Sequence, residues 1–247
     1  MIPNPIHKVL STFRSCGVRA LLMGGQACVF YGAAEFSRDT DFAILADAAN
    51  LERLDAALRE LQASVIAVPP LSLEHLQRGH AVHFRCRHPE AAGLRVDVMS
   101  KMRGVAEFAE LWERRTTLQG EDGTIYELMS LPDLVQAKKT QRDKDWPMIR
   151  RLIEADRVAC RGTPSSEQAR FWLREGRTPE LLVELARQFP LEAAALASGP
   201  RSLLHAALRG DAAGLESGLA EEERAERAAD RAYWVPLKQE LERMRHA

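Results

Sequence analysis

The sequence has few cysteines, few aromatic residues and no long apolar run. Its four cysteines, Cys16, Cys28, Cys86 and Cys160, show no C-x-x-C spacing. We therefore expect no disulfide framework, and a reducing compartment is favoured. No apolar stretch approaches the roughly 20 residues needed to cross a bilayer, and residues 1–10 lack the pattern of a signal peptide. These absences predict a soluble, cytoplasmic protein that makes no membrane contact.

Neither sign of charge dominates, since 34 Lys and Arg residues face 35 Asp and Glu residues and leave a net charge of −1. This balance gives no support for a surface that coats a long nucleic acid, because phosphate contacts dominate such binding. The chain is otherwise ordinary, with 46% hydrophobic and 28% charged residues, which argues against disorder. Its 247 residues are enough for one sizeable core and an appended region.

Two carboxylates mark the first candidate site. Asp39 and Asp41 lie on a predicted strand, where successive side chains point to opposite faces, so the two acids share one face. Carboxylates this close repel each other and are costly to desolvate. A hard cation such as Mg²⁺ relieves that cost, because it takes oxygen ligands and leaves positions for substrate phosphates. The alternative is a solvated turn, but the apolar Phe42 and Ile44 that follow suit a buried strand.

A glycine pair precedes these acids. An apolar strand over Val18–Met23 breaks at Gly24-Gly25, and a short helical run over Gln26–Ala34 follows. At a strand-to-helix turn the backbone N–H groups face an anion, and a residue without Cβ lets a phosphate approach closely. The pair therefore predicts a phosphate contact, with a plain structural turn as the alternative.

A third acid occurs later, between apolar residues. Asp97 lies in the run Arg95-Val96-Asp97-Val98-Met99, which has the pattern of a strand. The order of Gly24-Gly25, then Ser37-Arg38-Asp39-Thr40-Asp41, then Asp97 resembles the signature of the polymerase-β-type nucleotidyltransferase superfamily. The resemblance is closest to its small bacterial members, the abortive-infection toxin-type and the minimal nucleotidyltransferases.

This resemblance implies a metal-dependent enzyme that moves a nucleoside monophosphate from a nucleoside triphosphate to an acceptor hydroxyl and releases pyrophosphate. It implies that Asp39, Asp41 and Asp97 are the catalytic residues and also the ligands of two Mg²⁺ ions, with Mn²⁺ as an alternative metal. The expected acceptor is a small molecule or a protein side chain, because basic residues cluster only in the short run Lys138–Lys144. An RNA 3′ end is the rival acceptor.

Basic residues complete the implied nucleotide site. The run Leu131-Pro132-Asp133-Leu134-Val135-Gln136-Ala137-Lys138…Arg142…Lys144-Asp145 is similar to the segment that closes the catalytic domain in the small bacterial members. The implied nucleotide-binding residues are Gly24, Gly25, Arg38, Lys138 and Arg142. Lys139 is an alternative to Lys138 as the family lysine. A salt bridge is the alternative role for Arg38, and a solvated basic face is the alternative for the two later residues.

Two other classes of function stay open. A catalytically silent nucleotidyltransferase fold could serve as a protein-binding partner in a toxin–antitoxin pair, although the intact set of three acids argues against it. The acids could also serve a metal-dependent phosphohydrolase, but the sequence lacks the histidine-rich ligand sets that many such enzymes use. His80 and His83 are three positions apart on a predicted strand and face opposite sides, so each is predicted to be structural.

The pattern of elements predicts an α/β (α+β) protein. The resemblance implies a nucleotidyltransferase-like small mixed sheet flanked by helices, in a catalytic domain over residues 1–162. Its core is expected over 1–130 and its closing helices over 131–158. From Thr163 the chain becomes rich in Ala, Leu, Glu and Arg, which predicts an all-helical C-terminal domain over 163–247. No constellation of residues there points to a chemistry.

Overall fold

The computed structural model describes residues 4–120, 123–160 and 162–246. Within these ranges the chain forms a seven-stranded sheet and twelve α-helices. This mixture agrees with the predicted combination of helices and strands and is compatible with the α+β class. Within the same ranges, no helix combines the length and the apolar character needed to cross a membrane.

The strands are short, as is typical of globular sheets. They are β1 Ala20–Met23, β2 Asp39–Ile44, β3 Ser64–Val65, β4 Val82–Arg85, β5 Arg95–Met99, β6 Thr116–Gln119 and β7 Ile125–Leu128. The sequence Gly120-Glu121-Asp122-Gly123 predicts a turn between β6 and β7, and its residues Glu121 and Asp122 lie outside the described residues.

The helices alternate with the strands at first and then follow one another without interruption. They are α1 Asn4–Ser15, α2 Gly24–Phe30, α3 Ala48–Glu60, α4 Leu73–Arg78, α5 Phe108–Glu113, α6 Leu131–Ala137, α7 Asp145–Ala159, α8 Ser166–Glu175, α9 Pro179–Gln188, α10 Pro190–Ala197, α11 Leu204–Arg209 and α12 Ala212–His246. From residue 163 onward the described residues contain helices and no strand, which matches the expectation from composition.

The sheet is mixed, and the acid-bearing strand β2 is its middle strand. The strand order is β3-β4-β5-β2-β1-β7-β6. β2 runs antiparallel to β1 and parallel to β5, and β4 runs antiparallel to β5, as the alternating runs over residues 81–87 and 94–99 around a five-residue turn predict. The apolar run that ends at Met23 predicts a central strand, and it forms β1, which lies beside the middle strand. The two strands that carry the predicted acids are therefore direct neighbours.

An apolar face anchors the acid-bearing strand. Thr40 and Phe42 alternate with Asp39 and Asp41 and are almost completely buried. Phe13 of α1 stacks on Phe42, with ring centres 4.6 Å apart. Burial of this face specifies the register of the strand, because a slip by one residue would turn the acids inward. The acids consequently lie on the opposite face.

Contacts within the chain define two compact units, each described by itself. The first comprises Met1–Phe30, Ala34–Ala137 and Tyr233–Ala247, and the second comprises Tyr31–Ala33 and Lys138–Ala232. This division after Ala137 precedes the change in composition at Thr163, because α7 packs against α8 and so belongs with the helices that follow it.

The helices of the second unit begin at clear sequence signals. Ser165 and Gln168 form a reciprocal capping box at the start of α8. Thr178 caps α9, with Pro179 in the first turn where its missing N–H matters least. Apolar positions at helical spacing, such as Leu182 and Leu185, are completely buried.

Candidate functional site

The register of the sheet brings two of the predicted acids side by side. Asp41 of β2 pairs with Asp97 of β5, and Asp97 pairs in turn with His83 of β4. Paired residues lie on the same face of neighbouring strands, which are about 4.8 Å apart. Asp39 lies two residues along the same face, opposite Arg95. We refer to these five residues as the acid row.

The first glycine of the pair allows the Asp41 side chain to lie against the turn. Gly24 has a φ of +66°, a left-handed conformation that strains residues with a side chain. A Cβ built at Gly24 would lie 2.5 Å from Cγ and 2.8 Å from Cβ of Asp41, which is an overlap. A Cβ at Gly25 would lie 2.6 Å from Oγ of Ser37. The pair therefore has a structural requirement of its own, which is the close approach of the acid-bearing segment.

The Asp97 carboxylate is held through one of its two oxygens. Arg95 Nε donates to Asp97 Oδ1 at 2.8 Å, and His83 Nδ1 lies 2.9 Å from the same oxygen. Arg95 Nη2 also lies 3.1 Å from His83 Nδ1. Both contacts are to Oδ1, and Asp97 Oδ2 accepts no hydrogen bond from the described residues. About 16% of the Asp97 side chain is exposed, so the carboxylate is partly accessible to a ligand.

These contacts set the charge state of the pair. Burial alone would raise the pKa of Asp97, but the hydrogen bonds from His83 and Arg95 outweigh it and hold the pKa below its ordinary value. The hydrogen bond to Asp97 raises the pKa of Arg95, and the negative charges of Asp39 and Asp41 add to that rise. The Arg95 guanidinium therefore experiences all three acids, although it bonds to one.

The acids suit a hard divalent cation, although they are not assembled as a formed ligand cluster. In the described part of the chain, no group of three or more His, Cys, Asp and Glu side chains could hold a metal ion. Arg95 and His83 take one oxygen of Asp97, which keeps that carboxylate turned to protein partners. Carboxylate oxygens are the ligands that Mg²⁺ prefers. The donor set therefore fits Mg²⁺ chemically, and the metal role of Asp39, Asp41 and Asp97 stays a prediction.

The predicted basic residues of the later segment belong to the second unit, where they have carboxylate partners. Lys138 Nζ lies 3.1 Å from Asp145 Oδ1, and Arg142 Nε lies 2.7 Å from Asp145 Oδ2. Lys139 is paired with Glu175 at 3.0 Å. These ion pairs indicate a structural role for each of the three residues. The nucleotide contacts expected of Lys138 and Arg142 stay a prediction.

Arg38 has a different environment from the later basic residues. It is exposed, it precedes β2 by one residue, and within the described ranges it takes part in no hydrogen bond or ion pair. The salt bridge considered for it from the sequence is therefore not formed in this structure. Its guanidinium remains accessible at the beginning of the acid-bearing strand.

Two members of the acid row were not selected from the sequence. Arg95 entered only as a flank of Asp97, although a spacing of two on a strand would have placed both on one face. His83 was expected to be structural. Its contact with Asp97 depends on the pairing of β4 with β5, which a single strand pattern does not specify.

Comparison of the chain with models of known protein families finds no match, and comparison with curated proteins also finds none. The chemistry of the acid row is therefore argued from its own residues and their geometry.

Proposed function

We propose that this protein is a metal-dependent nucleotidyltransferase of the polymerase-β type. It would transfer a nucleoside monophosphate from a nucleoside triphosphate to an acceptor hydroxyl, with release of pyrophosphate. The observation that carries the proposal is the in-register pairing of Asp41 with Asp97 beside the Gly24 turn. That arrangement agrees with the resemblance in the order of the motifs and in the strands that carry them.

In this proposal the three carboxylates hold the metal and position the reacting groups. Asp39 and Asp41 on β2, with Asp97 on the adjacent strand, would bind Mg²⁺ through their oxygens. Bound Mg²⁺ supplies charge stabilisation for the phosphates and lowers the pKa of an acceptor hydroxyl. Asp97 would lie on the acceptor side and would accept or orient the hydroxyl proton through Oδ2, the oxygen that accepts no hydrogen bond from the described residues.

The glycine pair and Arg38 would bind the nucleotide. The backbone N–H groups after Gly24 would bind a phosphate at this turn, where the Asp41 and Ser37 side chains already lie close to the two glycines. α2 has seven residues, so its dipole contributes little and the close backbone approach is the main argument. Arg38, exposed before β2, is available to the triphosphate. The nucleotide contacts that the resemblance implies for Lys138 and Arg142 stay a prediction, since both residues belong to the second unit.

The acceptor class follows from charge and size. A net charge of −1 argues against a long nucleic acid, because such binding depends on many phosphate contacts. A small molecule or a protein side chain is therefore the proposed acceptor, and an RNA 3′ end is the rival. Tight, salt-sensitive binding of bulk tRNA would reverse this ranking if it were lost on combined replacement of Lys138, Lys139 and Arg142.

The decisive experiment is a search for a nucleotidylated product. The purified protein is incubated with cell lysate, all four nucleoside triphosphates and Mg²⁺, and products are detected by mass spectrometry as an added nucleoside monophosphate. We expect an adduct with the wild type, none with Asp41→Asn, and none when the metal is chelated. An adduct that persists in Asp41→Asn at the wild-type level would refute the proposal.

One observation favours a second candidate function. Arg95 and His83 already engage Asp97, as expected if the acid is a structural partner in a catalytically silent fold that binds another protein. A calorimetric titration with nucleotide and Mg²⁺ separates the two functions. Nucleotide binding that requires the metal supports the transferase, whereas a folded protein that binds neither supports the silent partner.

A further inference from the structure

Arg95 lies among the carboxylates of the acid row. It is opposite Asp39 in the register, and its Nε donates to Asp97 Oδ1 at 2.8 Å. Its charge therefore partly offsets the repulsion among the acids in the absence of a metal ion. A divalent cation bound by the same acids would compete with this guanidinium.

The contact is built in a way that permits exchange. Arg95 and His83 share Oδ1 of Asp97, and Oδ2 accepts no hydrogen bond from the described residues. About 37% of the Arg95 side chain is exposed, so the guanidinium can leave without opening the core. Its Nη1 group also makes no hydrogen bond to any described residue. An approaching phosphate would find a free donor on this guanidinium.

We infer that Arg95 is an exchange residue of the candidate site. It holds Asp97 when no metal ion is bound, and it turns to a phosphate of the nucleoside triphosphate when a divalent cation takes Asp97. This inference rests on the proposed function and adds a specific phosphate-binding residue to it. A guanidinium suits the second task because its planar set of donors matches phosphate oxygens in pairs.

The chain contains a matched control for this residue. Arg85 of β4 is the register partner of Arg95 and lies on the same face of the sheet. It is exposed, its Nη1 donates to Gly93 O at 3.4 Å, and no carboxylate pairs with it among the described residues. Arg85→Met therefore removes one positive charge at a similar place without removing a partner of Asp97.

The first measurement is the affinity for Mn²⁺ alone. The electron paramagnetic resonance signal of the free ion reports how much Mn²⁺ is bound. We expect Arg95→Met to bind Mn²⁺ about five- to tenfold more tightly than the wild type, because a competing cation is removed. Arg95→Lys keeps the charge and is expected to stay near the wild type. Arg85→Met is expected to change the affinity by less than about twofold, because it has no carboxylate partner.

The second measurement is binding of a nucleoside triphosphate analogue with a methylene group in place of the α,β-bridging oxygen, at saturating Mn²⁺, by calorimetry. All four analogues are tested. Here the effect has the opposite sign, since Arg95→Met loses a charge-assisted hydrogen bond and should bind the analogue about tenfold more weakly. Arg95→Lys should show a smaller loss of affinity, and Arg85→Met should bind the analogue nearly as tightly as the wild type.

The opposite signs distinguish exchange from a structural ion pair. If the wild type binds Mn²⁺ and analogue but Arg95→Met changes neither, the inference is wrong and the proposed function stands. If Arg95→Met weakens both, Arg95 only positions Asp97, and exchange is again excluded. If no variant binds Mn²⁺, both the inference and the proposed function fail. Circular dichroism of each variant checks folding, and Arg95→Gln, which also removes the charge, carries the test if Arg95→Met does not fold.

Discussion

Two aspartates of this chain, Asp97 in the first unit and Asp145 in the second, are both paired with basic residues but in different ways. Asp145 is more deeply buried, with 2% of its side chain exposed against 16% for Asp97. Both of its oxygens are engaged, Oδ1 by Lys138 and Oδ2 by Thr140 and Arg142. At Asp97 the protein partners meet on one oxygen only.

The pKa is lowered at both aspartates, but the two carboxylates differ in their capacity to bind a ligand. Burial would raise the pKa of each carboxyl, yet the positive charge of Lys138 lowers that of Asp145 and the hydrogen bond from His83 lowers that of Asp97. A buried carboxylate with hydrogen bonds to both oxygens has a structural role. A partly exposed carboxylate with one oxygen satisfied, in a row with two further acids, keeps capacity for a ligand. This difference leads us to place the chemistry at Asp97.

The largest expected effect comes from the partners of Asp97 in the acid row. Asp39→Asn and Asp41→Asn should each lower nucleotidyl transfer by at least about 100-fold, because each removes an anionic metal ligand. Folding should be unchanged or improved, since repulsion among the acids is relieved. Adduct formation and thermal unfolding are measured together. Asp55→Asn, on the exposed face of α3, is the charge-matched control, and full activity in either row variant would remove the acid row from consideration.

The next largest effect tests whether the close approach of Asp41 requires glycine at position 24. Gly24→Ala should lower the free energy of unfolding by about 2–4 kcal/mol, from the left-handed backbone and the overlap with Asp41. Gly93 has a similar φ of +80° with no atom within 4 Å of a built Cβ. Gly93→Ala should therefore cost only about 1–2 kcal/mol, the backbone strain alone. If chemical denaturation gives equal losses in the free energy of unfolding for the two variants, the contact with Asp41 does not contribute to the cost at Gly24.

The structural nature of the Asp145 site is tested by removing one partner. Lys138→Met should lower the free energy of unfolding by about 2 kcal/mol, because it leaves a buried carboxylate with fewer partners. The exposed Lys144→Met control should stay within about 0.5 kcal/mol of the wild type. Nucleotide affinity is measured on the same variants. A loss of affinity without a loss of stability in Lys138→Met would favour the nucleotide role implied by the resemblance.

The smallest effect concerns Glu240 in α12, a third paired carboxylate. Hydrogen bonds from Arg78 and His80 lower its pKa to about 2 from an ordinary value of 4.5. A lowered pKa stabilises the folded state at pH above 4.5, and this contribution is lost as the pH falls through 4.5 toward about 2. The midpoint temperature of thermal unfolding should therefore fall less between pH 6 and pH 3 for Glu240→Gln than for the wild type. Parallel pH profiles would mean that the ion pair contributes nothing to folding.

Much of the fold could be predicted from local patterns. The alternation around Asp39 and Asp41 predicted a strand with both acids on one face, and the structure has that strand at β2. The shift to Ala, Leu, Glu and Arg after Thr163 predicted the helical region that the described residues form. The helix expected over Gln26–Ala34 begins earlier, at Gly24, and ends at Phe30. Its first turn starts from the left-handed glycine itself, a backbone detail that the pattern does not contain.

The composition of the candidate site was predicted in part for the same reason. Asp39, Asp41 and Asp97 were selected because strand periodicity and the order of motifs are local properties of the sequence. Residues two apart on a strand point to the same face, so the sequence also indicated that Arg95 shares a face with Asp97. His83 was beyond such reasoning, because its place beside Asp97 depends on which strand pairs with β5 and in which register.

The sequence by itself determined the strand that carries two acids, the glycine turn that precedes it, and the helical character of the later residues, because each depends on steric rules acting over a few neighbouring positions. Only the tertiary structure decided that Asp41 and Asp97 are direct neighbours, that Arg95 and His83 hold one oxygen of Asp97, and that Lys138 and Arg142 share Asp145. Those contacts join residues through strand pairing and burial, and the free energy that selects them comes from the whole core rather than from the local chain.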